Sequence, residues 1–536
     1  MYFTQSRTAL CLFLLILTTS VFGNDMWWDV STYPAEVRKQ MKKAQNAFKE
    51  GEFEEALRLY QTLAKDAPKL PNAHIGQGDS SAKLGDYPNA IPAFQRALQL
   101  ITELPQVQRI AFGPTVQAKL ATAYHRDKQL DEADALYQAA VKGTGEKAHV
   151  SWYIALGQIE TARGNLEKAR RYYIAAVQLH PDTTAAYNNL GHVLLKLNRI
   201  DEADAVFRET LTLDKTLASA AFGRGQVAAK RGQFDVARRF YEQAIQNNPH
   251  EPIFYKALAD GLEQLGNIEA SKKTRLRFRQ TLAEVYRHQA QQYIEKQQGK
   301  PALELLQKAL NTDENYIPAL KDLAYVQMQM NDLQSSKQTY QRVLKLEPIS
   351  HQALLHLGRI EAKLGNSVEA ESHLLTLITH QPDFMDTYSQ LSNLRMTSGN
   401  LVGAETALTM GIQHQPAWAP GYLWRGKIYQ KRGESTEAEN DFRRAIKLAP
   451  DVPFPKDALA SLLVTENRSL DEALILAESA VASDKRPTHI ATLALVYYRF
   501  KRTSDAKREI KKAYSQTPKD PYIIKIRSEI LKTDEK

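Results

Sequence analysis

A repeat period of about 34 residues runs through most of this 536-residue chain and constrains its fold more than any other feature. Two runs of equally spaced alanines mark the period: Ala169, Ala203, Ala237, and again Ala370, Ala404, Ala438. Within each period, apolar residues recur at the spacing of a helix rather than of a strand. Periods of this length are typical of arrays in which each unit packs against its neighbours. The sequence therefore predicts an all-α chain of about fourteen helix-turn-helix repeats.

The repeats share several positions. Their starts fall near residues 37, 71, 114, 150, 184, 218, 252, 283, 317, 351, 385, 419, 454 and 487. The eighth residue of each repeat is Ala, Gly or Ser, and the twentieth is Ala except at Ser271 and Ser336. Small residues at these positions let two helices approach closely at interior packing density. A proline, which cannot continue a helix, follows many of the second helices: Pro181, Pro249, Pro348, Pro382, Pro416, Pro450 and Pro518.

With these small residues and terminal prolines, the pattern resembles the tetratricopeptide repeat from about residue 37 to residue 520. The resemblance implies a right-handed superhelical α-solenoid, with first helices on the concave face and second helices on the convex face. It divides the chain into a lead-in at 24–36, repeats one to seven at 37–282, repeats eight to fourteen at 283–520, and a capping helix and tail at 521–536. A terminal cap is expected because an open array end exposes apolar surface.

Two departures from the period predict local irregularities. Between Leu100 and Pro114 about nine extra residues widen one interval, so we expect a loop or a kink there. Near residues 272–300 the interval is shorter than elsewhere in the array, which predicts a hinge or a break between two subarrays.

The first 23 residues differ from the repeats and are typical of a signal peptide. Arg7 precedes an unbroken apolar run from Ala9 to Leu17, and cleavage is expected before Asn24. The run is shorter than the ~20 apolar residues that span a bilayer, which disfavours the alternative of an uncleaved anchor. Cys11, the only cysteine, lies inside the run, so its removal leaves no thiol. We therefore expect an exported protein, in the periplasm of a bacterium.

The sequence offers no recognisable catalytic centre. Phosphate-binding loops, dinucleotide fingerprints, nucleophile elbows and His-Glu-x-x-His zinc motifs do not occur in it. Four histidines crowd one repeat, but the repeat frame places them at largely exposed positions that do not converge on a metal ion: His351, His356, His373 and His380. The mild positive charge comes without a nucleic-acid recognition motif. We predict a protein without enzymatic activity, cofactor or nucleic-acid partner; a metal-assisted enzyme is the weaker alternative.

The resemblance also implies where a partner binds, because positions 2, 5, 6, 9, 12 and 13 of each first helix set the chemistry of the concave face in that family. In repeats seven to ten the fifth and ninth positions include basic, polar and aromatic residues: Lys256, Asp260, Arg287, Gln291, Lys321, Tyr325 and Arg359. We interpret them as a stripe that binds a protein segment with acidic groups through charge-assisted hydrogen bonds. The alternative is that an exposed helix face is polar in any case.

A second basic cluster lies on the second helix of repeat seven: Lys272, Lys273, Arg275, Arg277 and Arg279. It is either a solvated face or a patch for an acidic partner or an anionic membrane surface, so peripheral membrane association stays open. We expect an exported scaffold that binds protein segments on its concave face within a cell-envelope assembly. The alternative is an assembly or regulatory factor for polysaccharide export, secretion or pilus machinery.

Overall fold

The computed structural model describes residues 33–531. The predicted signal peptide, most of the lead-in and the last five residues of the tail lie outside this range. Within it, the secondary structure consists of helices, with no strand. None of these helices combines the length and the apolar character needed to cross a membrane.

The helices follow the predicted repeats in pairs. The first seven repeats contain α1 (Ala35–Lys49), α2 (Phe53–Asp66), α3 (Pro71–Lys83), α4 (Tyr87–Thr102), α5 (Gln106–Arg126), α6 (Leu130–Thr144), α7 (Val150–Arg163), α8 (Leu166–Leu179), α9 (Thr184–Lys196), α10 (Ile200–Leu213), α11 (Ala218–Lys230), α12 (Phe234–Asn247), α13 (Pro252–Gln264) and the start of α14 (Ile268–Glu295). A short 3₁₀ helix, Gly145–Lys147, follows α6.

The later repeats continue the pattern after α14. They contain α15 (Gly299–Thr312), α16 (Ile317–Gln329), α17 (Leu333–Leu346), α18 (His351–Leu364), α19 (Ser367–His380), α20 (Met385–Thr397), α21 (Leu401–His414), α22 (Ala419–Arg432), α23 (Ser435–Leu448), α24 (Pro453–Thr465), α25 (Leu470–Ser483), α26 (Pro487–Arg499), α27 (Thr503–Gln516) and α28 (Pro521–Leu531). The chain forms two compact units, the first ending at Phe278 and the second beginning at Arg279. Each unit buries its apolar residues in several clusters between consecutive helices, as repeat arrays do.

Large residues at position 24 of the repeats pack against the small residues of the first helices. A Cβ atom built on Gly191 in α9 would lie only 2.6 Å from the ring of Phe207 in α10, well inside the distance at which carbon atoms pack. The same ring also lies directly against Gly223 in α11, the first helix of the next repeat. Phe207 is completely buried. One ring therefore fills the space between two successive first helices.

Two repeats have serine instead of alanine as their twentieth residue. Serine is also small, and in both repeats its hydroxyl group has a hydrogen-bond partner. Ser271 Oγ donates a hydrogen bond to the carbonyl oxygen of Ala259 at 2.9 Å, and Ser336 Oγ donates to that of Ala324 at 2.7 Å. Ala259 and Ala324 are the eighth residues of the same repeats. A buried hydroxyl needs such a partner, so serine can replace alanine here without leaving an unpaired polar group.

The sequence predicted a loop or a kink at the widened interval, and the structure excludes the long loop. Most of the extra residues are helical, because they lengthen the first helix of repeat three into the 21-residue α5. Only a short turn that includes Pro105 separates α5 from α4. The insertion therefore extends a helix of the array instead of forming a long loop.

The shortened interval near residues 272–300 has no turn in its first part. The second helix of repeat seven continues into the first helix of repeat eight, which gives the 28-residue α14. No glycine or proline occurs between Ile268 and Glu295, so nothing in this segment stops a helix. The hinge or break expected there is therefore not a turn, and the boundary between the two compact units falls inside a continuous helix.

One more helix, α28, follows the last repeat in the part of the chain that the structure describes and packs against it. α28 buries Ile523, Ile526 and Ile530. The hydroxyl of Tyr522 lies 3.1 Å from Ser461 Oγ and 2.9 Å from Thr492 Oγ1, on the first helices of the last two repeats. These contacts cover apolar surface that an open end would expose to water.

Candidate partner-binding surface

The predicted binding residues are divided between the two units. Lys256 and Asp260 lie on α13 in the first unit. The other five lie in the second unit, on the end of α14, on α16 and on α18: Arg287, Gln291, Lys321, Tyr325 and Arg359. We therefore consider the candidate surface of each unit separately.

The basic residues of the second unit are paired with acidic residues of the same chain. Arg287 Nε lies 2.7 Å from Asp322 Oδ2, which links repeat eight to repeat nine. Arg359 Nη2 lies 2.6 Å from Asp386 Oδ2, which links repeat ten to repeat eleven. Lys321 Nζ lies 2.9 Å from a carboxylate oxygen of Glu347. The stripe of basic, polar and aromatic residues therefore also contains paired carboxylates and forms a row of alternating charges.

Sequence reasoning missed the acidic members of this row because it considered only fifth and ninth positions. Asp322 occupies the sixth position of repeat nine, and Asp386 the second position of repeat eleven. Both positions belong to the concave set that the family resemblance implies. Reading all six positions together, with repeat eleven included, would have identified Asp322 and Asp386, but not Glu347, which follows the second helix of repeat nine.

These ion pairs differ in their exposure to water. Arg359 and Asp386 keep 40% and 43% of their side-chain surface exposed, whereas Arg287 and Asp322 keep 23% and 21%. An exposed pair contributes only about 0–1 kcal/mol to stability. The carboxylate of Asp386 also accepts a hydrogen bond from Gln390 Nε2 at 2.7 Å. The Arg359–Asp386 pair is thus accessible, and breaking it costs little free energy. Its side chains can therefore form new hydrogen bonds to a bound segment.

Burial changes the pKa of Asp322, the other aspartate of the row. It raises the pKa of Asp322, while the Arg287 guanidinium and the Gln291 amide oppose this shift by stabilising the ionised form. Gln291 therefore belongs to the same polar cluster as Arg287 and Asp322. Arg287, Gln291 and Asp322 form a part of the surface that is more fixed than the Arg359–Asp386 pair.

His356 corrects the expectation that the four histidines are largely exposed. Its side chain is only 9% exposed and stacks on the ring of Tyr340, with a centroid distance of 5.3 Å. The ring of Tyr325 is also close, with a centroid distance of 6.1 Å. His356 is the sixth residue of repeat ten and Tyr340 is residue 24 of repeat nine, so the histidine occupies the place that Gly223 takes beside Phe207. Packing between repeats therefore buries it.

The other histidines of this repeat do not share that environment. His351 and His380 are exposed, and His373 is half-buried. In residues 33–531, no group of three or more His, Cys, Asp and Glu side chains is arranged to hold a metal ion.

Lowering the pH from 7 to 4 is expected to destabilise the wild type by up to about 3 kcal/mol more than a His356→Phe variant. Burial, aided by Arg359, lowers the pKa of His356 to about 4, whereas an unfolded histidine titrates near 6.5. The unfolded chain therefore binds more protons between these values, and stability falls as the pH drops below about 6.5. Urea unfolding followed by circular dichroism across this range measures the difference. A His351→Phe control should keep the wild-type pH dependence, and identical curves for all three proteins would contradict the prediction.

The first unit offers a smaller candidate surface. Lys256 is exposed and makes no ion pair within the described part of the chain. Asp260 lies 3.0 Å from Arg275 Nη2, and Arg275 also contacts Glu263. Arg275 belongs to the basic cluster on α14, so part of that cluster is engaged by α13 of its own repeat.

Comparisons with known proteins follow the repeat boundaries. Tetratricopeptide repeat family models match residues 41–105, 148–216, 218–251, 321–383 and 419–452. Cellulose synthase 1 operon protein C of Komagataeibacter xylinus is 24% identical over 289 residues, which cover 51% of this chain and 20% of that protein. The BBSome complex member BBS4 of Bos taurus is 30% identical over 194 residues, or 36% of this chain and 35% of that one. The chain therefore spans about a third or less of these relatives.

The fold was also compared with solved structures. The structure of Naa15/Naa10 bound to HypK-THB aligns over 93% of this chain and 96% of that chain, with 14% identity and a TM-score of 0.38.

Proposed function

Because this chain is a tetratricopeptide-repeat protein and hence a protein-interaction scaffold, we propose that it binds a protein segment along the first helices of repeats eight to eleven. The observation that carries this proposal is the row of partly exposed ion pairs that links successive repeats, above all Arg359–Asp386. Binding is the whole of the proposed mechanism, without a chemical step.

The alternating charges refine the kind of partner. A purely acidic segment would have to compete with Asp322 and Asp386 for their arginines. A segment with both carboxylate and cationic or amide groups can instead pair with each member of the row. Tyr325 is half-buried beside His356 and supplies the kind of rigid aromatic anchor that concentrates binding energy. We therefore expect a partner segment of mixed charge, and not only the acidic segment that the sequence predicted.

Reversing the Arg359–Asp386 pair tests this proposal. The double variant Arg359→Asp with Asp386→Arg keeps an ion pair between repeats ten and eleven but reverses its polarity. Partners are first captured by crosslinking and mass spectrometry on the wild type, and their affinity is then measured by titration. We expect the swap to weaken a concave-face partner by about 10–100-fold, because a correctly placed charge becomes a repulsive one.

A matched variant reverses an exposed ion pair on second helices, again without changing the net charge. Arg443 on α23 and Glu472 on α25 are 44% and 37% exposed, and the variant Arg443→Glu with Glu472→Arg should retain full affinity. Circular dichroism should show that both variants remain helical. If the swapped variant retained every captured partner at unchanged affinity, the proposed surface would be wrong.

We further propose that the scaffold acts outside the cytoplasm in a cell-envelope assembly. The segment from Arg7 to Asn24 supports this proposal through its signal-peptide pattern. Cell fractionation with N-terminal sequencing tests it, with Asn24 expected as the first residue of an extracytoplasmic protein. An intact N-terminus in the cytoplasmic fraction would contradict it.

The bacterial relative favours a second candidate function. Its name places it in a cellulose synthase operon, which supports a role for this chain as an assembly factor in polysaccharide export. Deletion of the gene, followed by measurement of secreted polysaccharide, distinguishes this role from others. Unchanged secretion in the deletion strain would remove this candidate and leave the binding proposal intact.

A further inference from the structure

Positive charge is concentrated at the C-terminal end of the second unit. Between Lys501 and Leu531 the sequence has nine Lys or Arg residues and four Asp or Glu residues. This excess of five charges lies in a short stretch of sequence, yet it is more than half of the net charge of +9 that all 536 residues carry. The mild charge of the whole chain therefore conceals a strongly basic end.

Some of these cations are paired within the chain. Arg502 and Arg508 both contact Asp505, and Lys512 contacts Glu509. Four exposed lysines make no ion pair with any residue that the structure describes: Lys501, Lys511, Lys519 and Lys525. The positive electrostatic potential of residues 501–531 is therefore not cancelled by neighbouring carboxylates.

Three of these unpaired lysines, all except Lys501, lie on α27, on α28 or in the turn between them. The Arg527 guanidinium lies 4.1 Å from the ring centroid of Tyr514, so it bridges the two helices. Lys511 lies one helical turn before Tyr514 and shares its side of α27. Lys519 lies in the connecting turn. We call the exposed residues Lys511, Lys519, Ile524, Lys525, Arg527 and Leu531 the terminal basic surface.

Two apolar side chains lie among these charges. Ile524 is 45% exposed and Leu531 is 36% exposed, although α28 buries three other aliphatic residues. They lie three residues before and four residues after Arg527, and therefore on its side of the helix. The solvent-facing side of a helix is normally polar, so exposed aliphatic residues between cations need another explanation.

We propose that the terminal basic surface docks on an anionic lipid bilayer. A bilayer attracts spread-out cations through its surface potential and needs no pocket, and each Lys or Arg near it strengthens binding by roughly fivefold. Ile524 and Leu531 then insert between headgroups, where aliphatic side chains flanked by cations are stable. An acidic protein segment is less suited, because tight recognition of a segment depends on a few buried anchors, whereas the cations here are spread over two helices and a turn.

The position of this surface permits docking without blocking the first helices of repeats eight to eleven. α28 packs on the last repeats of the second unit, and the proposed partner-binding residues end at Asp386. Lipid binding does not depend on the proposed protein partner, so either proposal can fail alone.

Vesicle co-sedimentation of the full chain tests the inference. Vesicles of phosphatidylcholine alone are compared with vesicles in which about one third of the lipid is phosphatidylglycerol, at low and at high salt. The variant Lys511→Gln, Lys519→Gln, Lys525→Gln removes three unpaired charges. We expect it to lower the partition coefficient for anionic vesicles on the order of 100-fold at low salt. Its control carries three glutamines for exposed lysines on second helices, at Lys308, Lys345 and Lys447, and should bind like the wild type.

The apolar segment Ala9–Leu17 can itself bind lipid, but it is the same in the wild type, the triple variant and the control. A difference in binding between the two triple variants therefore comes from the terminal basic surface. Equal binding of the two triple variants would overturn the proposal. So would equal binding of the wild type to neutral and anionic vesicles, or the absence of binding to anionic vesicles at low salt. Binding to polyglutamate but not to anionic vesicles would assign the surface to an acidic protein instead. A variant Ile524→Ser should bind more weakly than the wild type at high salt, where the apolar contribution remains.

Discussion

Replacing Phe207 with alanine should lower the free energy of opening of α9 to α11 by about 3–5 kcal/mol, the range observed when a buried aromatic ring is removed. The ring is completely buried and lies against Gly191 and Gly223, so its loss leaves a cavity between two repeats. Because long repeat arrays need not unfold in a single step, hydrogen exchange resolved by peptide is the appropriate measurement. Loss of protection should centre on residues 184–230.

Two further variants show whether the effect comes from this contact. Gly191→Ala should destabilise the wild type, because its Cβ would lie 2.6 Å from the ring, but should be tolerated once Phe207 is alanine. The two effects are therefore not additive. Val402→Ala serves as the control, since Val402 is 63% exposed and its truncation should change stability by less than about 0.5 kcal/mol. Additive effects of the Gly191 and Phe207 changes would show that the ring does not require the glycine.

Replacing Arg425 with methionine should destabilise repeat twelve by about 3–5 kcal/mol, because it leaves a buried carboxylate without its partner. Arg425 Nε and Nη2 lie 2.8 Å and 2.9 Å from the two carboxylate oxygens of Asp441. The arginine side chain is 16% exposed and the aspartate 8%. Arg425 Nη1 also donates to Thr409 Oγ1 at 3.1 Å, so the change removes a contact to the preceding repeat as well.

The chain contains a matched exposed pair. Arg443 contacts both carboxylate oxygens of Glu472 at 2.6 Å and 2.9 Å, but the two side chains are 44% and 37% exposed. Arg443→Met should cost no more than about 1 kcal/mol, because water already screens this pair. Urea unfolding and peptide-resolved hydrogen exchange of both variants measure the contrast. Similar losses of stability in Arg425→Met and Arg443→Met would contradict the claim that burial, rather than the geometry of the ion pair, determines how much the pair contributes to stability.

Much of the fold follows from the repeat frame. A constant period with small eighth and twentieth positions predicts helix pairs, and the pairs form where the frame places them. The repeat frame describes the two irregular intervals less well than the regular ones. α14 contains neither glycine nor proline, and its local helix propensity overrides the turn that a regular repeat would have near this point. The segment before Pro114 likewise became part of α5, since added residues can extend a helix as well as form a loop.

The candidate surface was less predictable than the fold. Sequence positions identify which residues belong to the first helices, but they do not show which charges are already paired. Arg359 therefore looked available for an acidic partner, although Asp386 from the next repeat contacts it. His356 looked exposed because its position faces outward in a single repeat, and only the packing of Tyr340 from the preceding repeat buries it. The Arg359–Asp386 pair and the burial of His356 both depend on contacts between repeats, which a frame based on one repeat does not contain.

The rings that lie between successive first helices also restrict how such a gene can change. Tandem repeats of equal length readily recombine, and an exchange of whole repeats would keep every helix in register. Yet Phe207 requires a residue as small as Gly223 at the sixth position of the following repeat, and Tyr60 has the same relation to Gly76. In repeat three that position is Lys119, which pairs with Asp79. A duplication that placed repeat three after Phe207 would separate Lys119 from the carboxylate that pairs with it and would replace the glycine that this ring packs against. The order of the repeats is therefore part of the information that the fold requires.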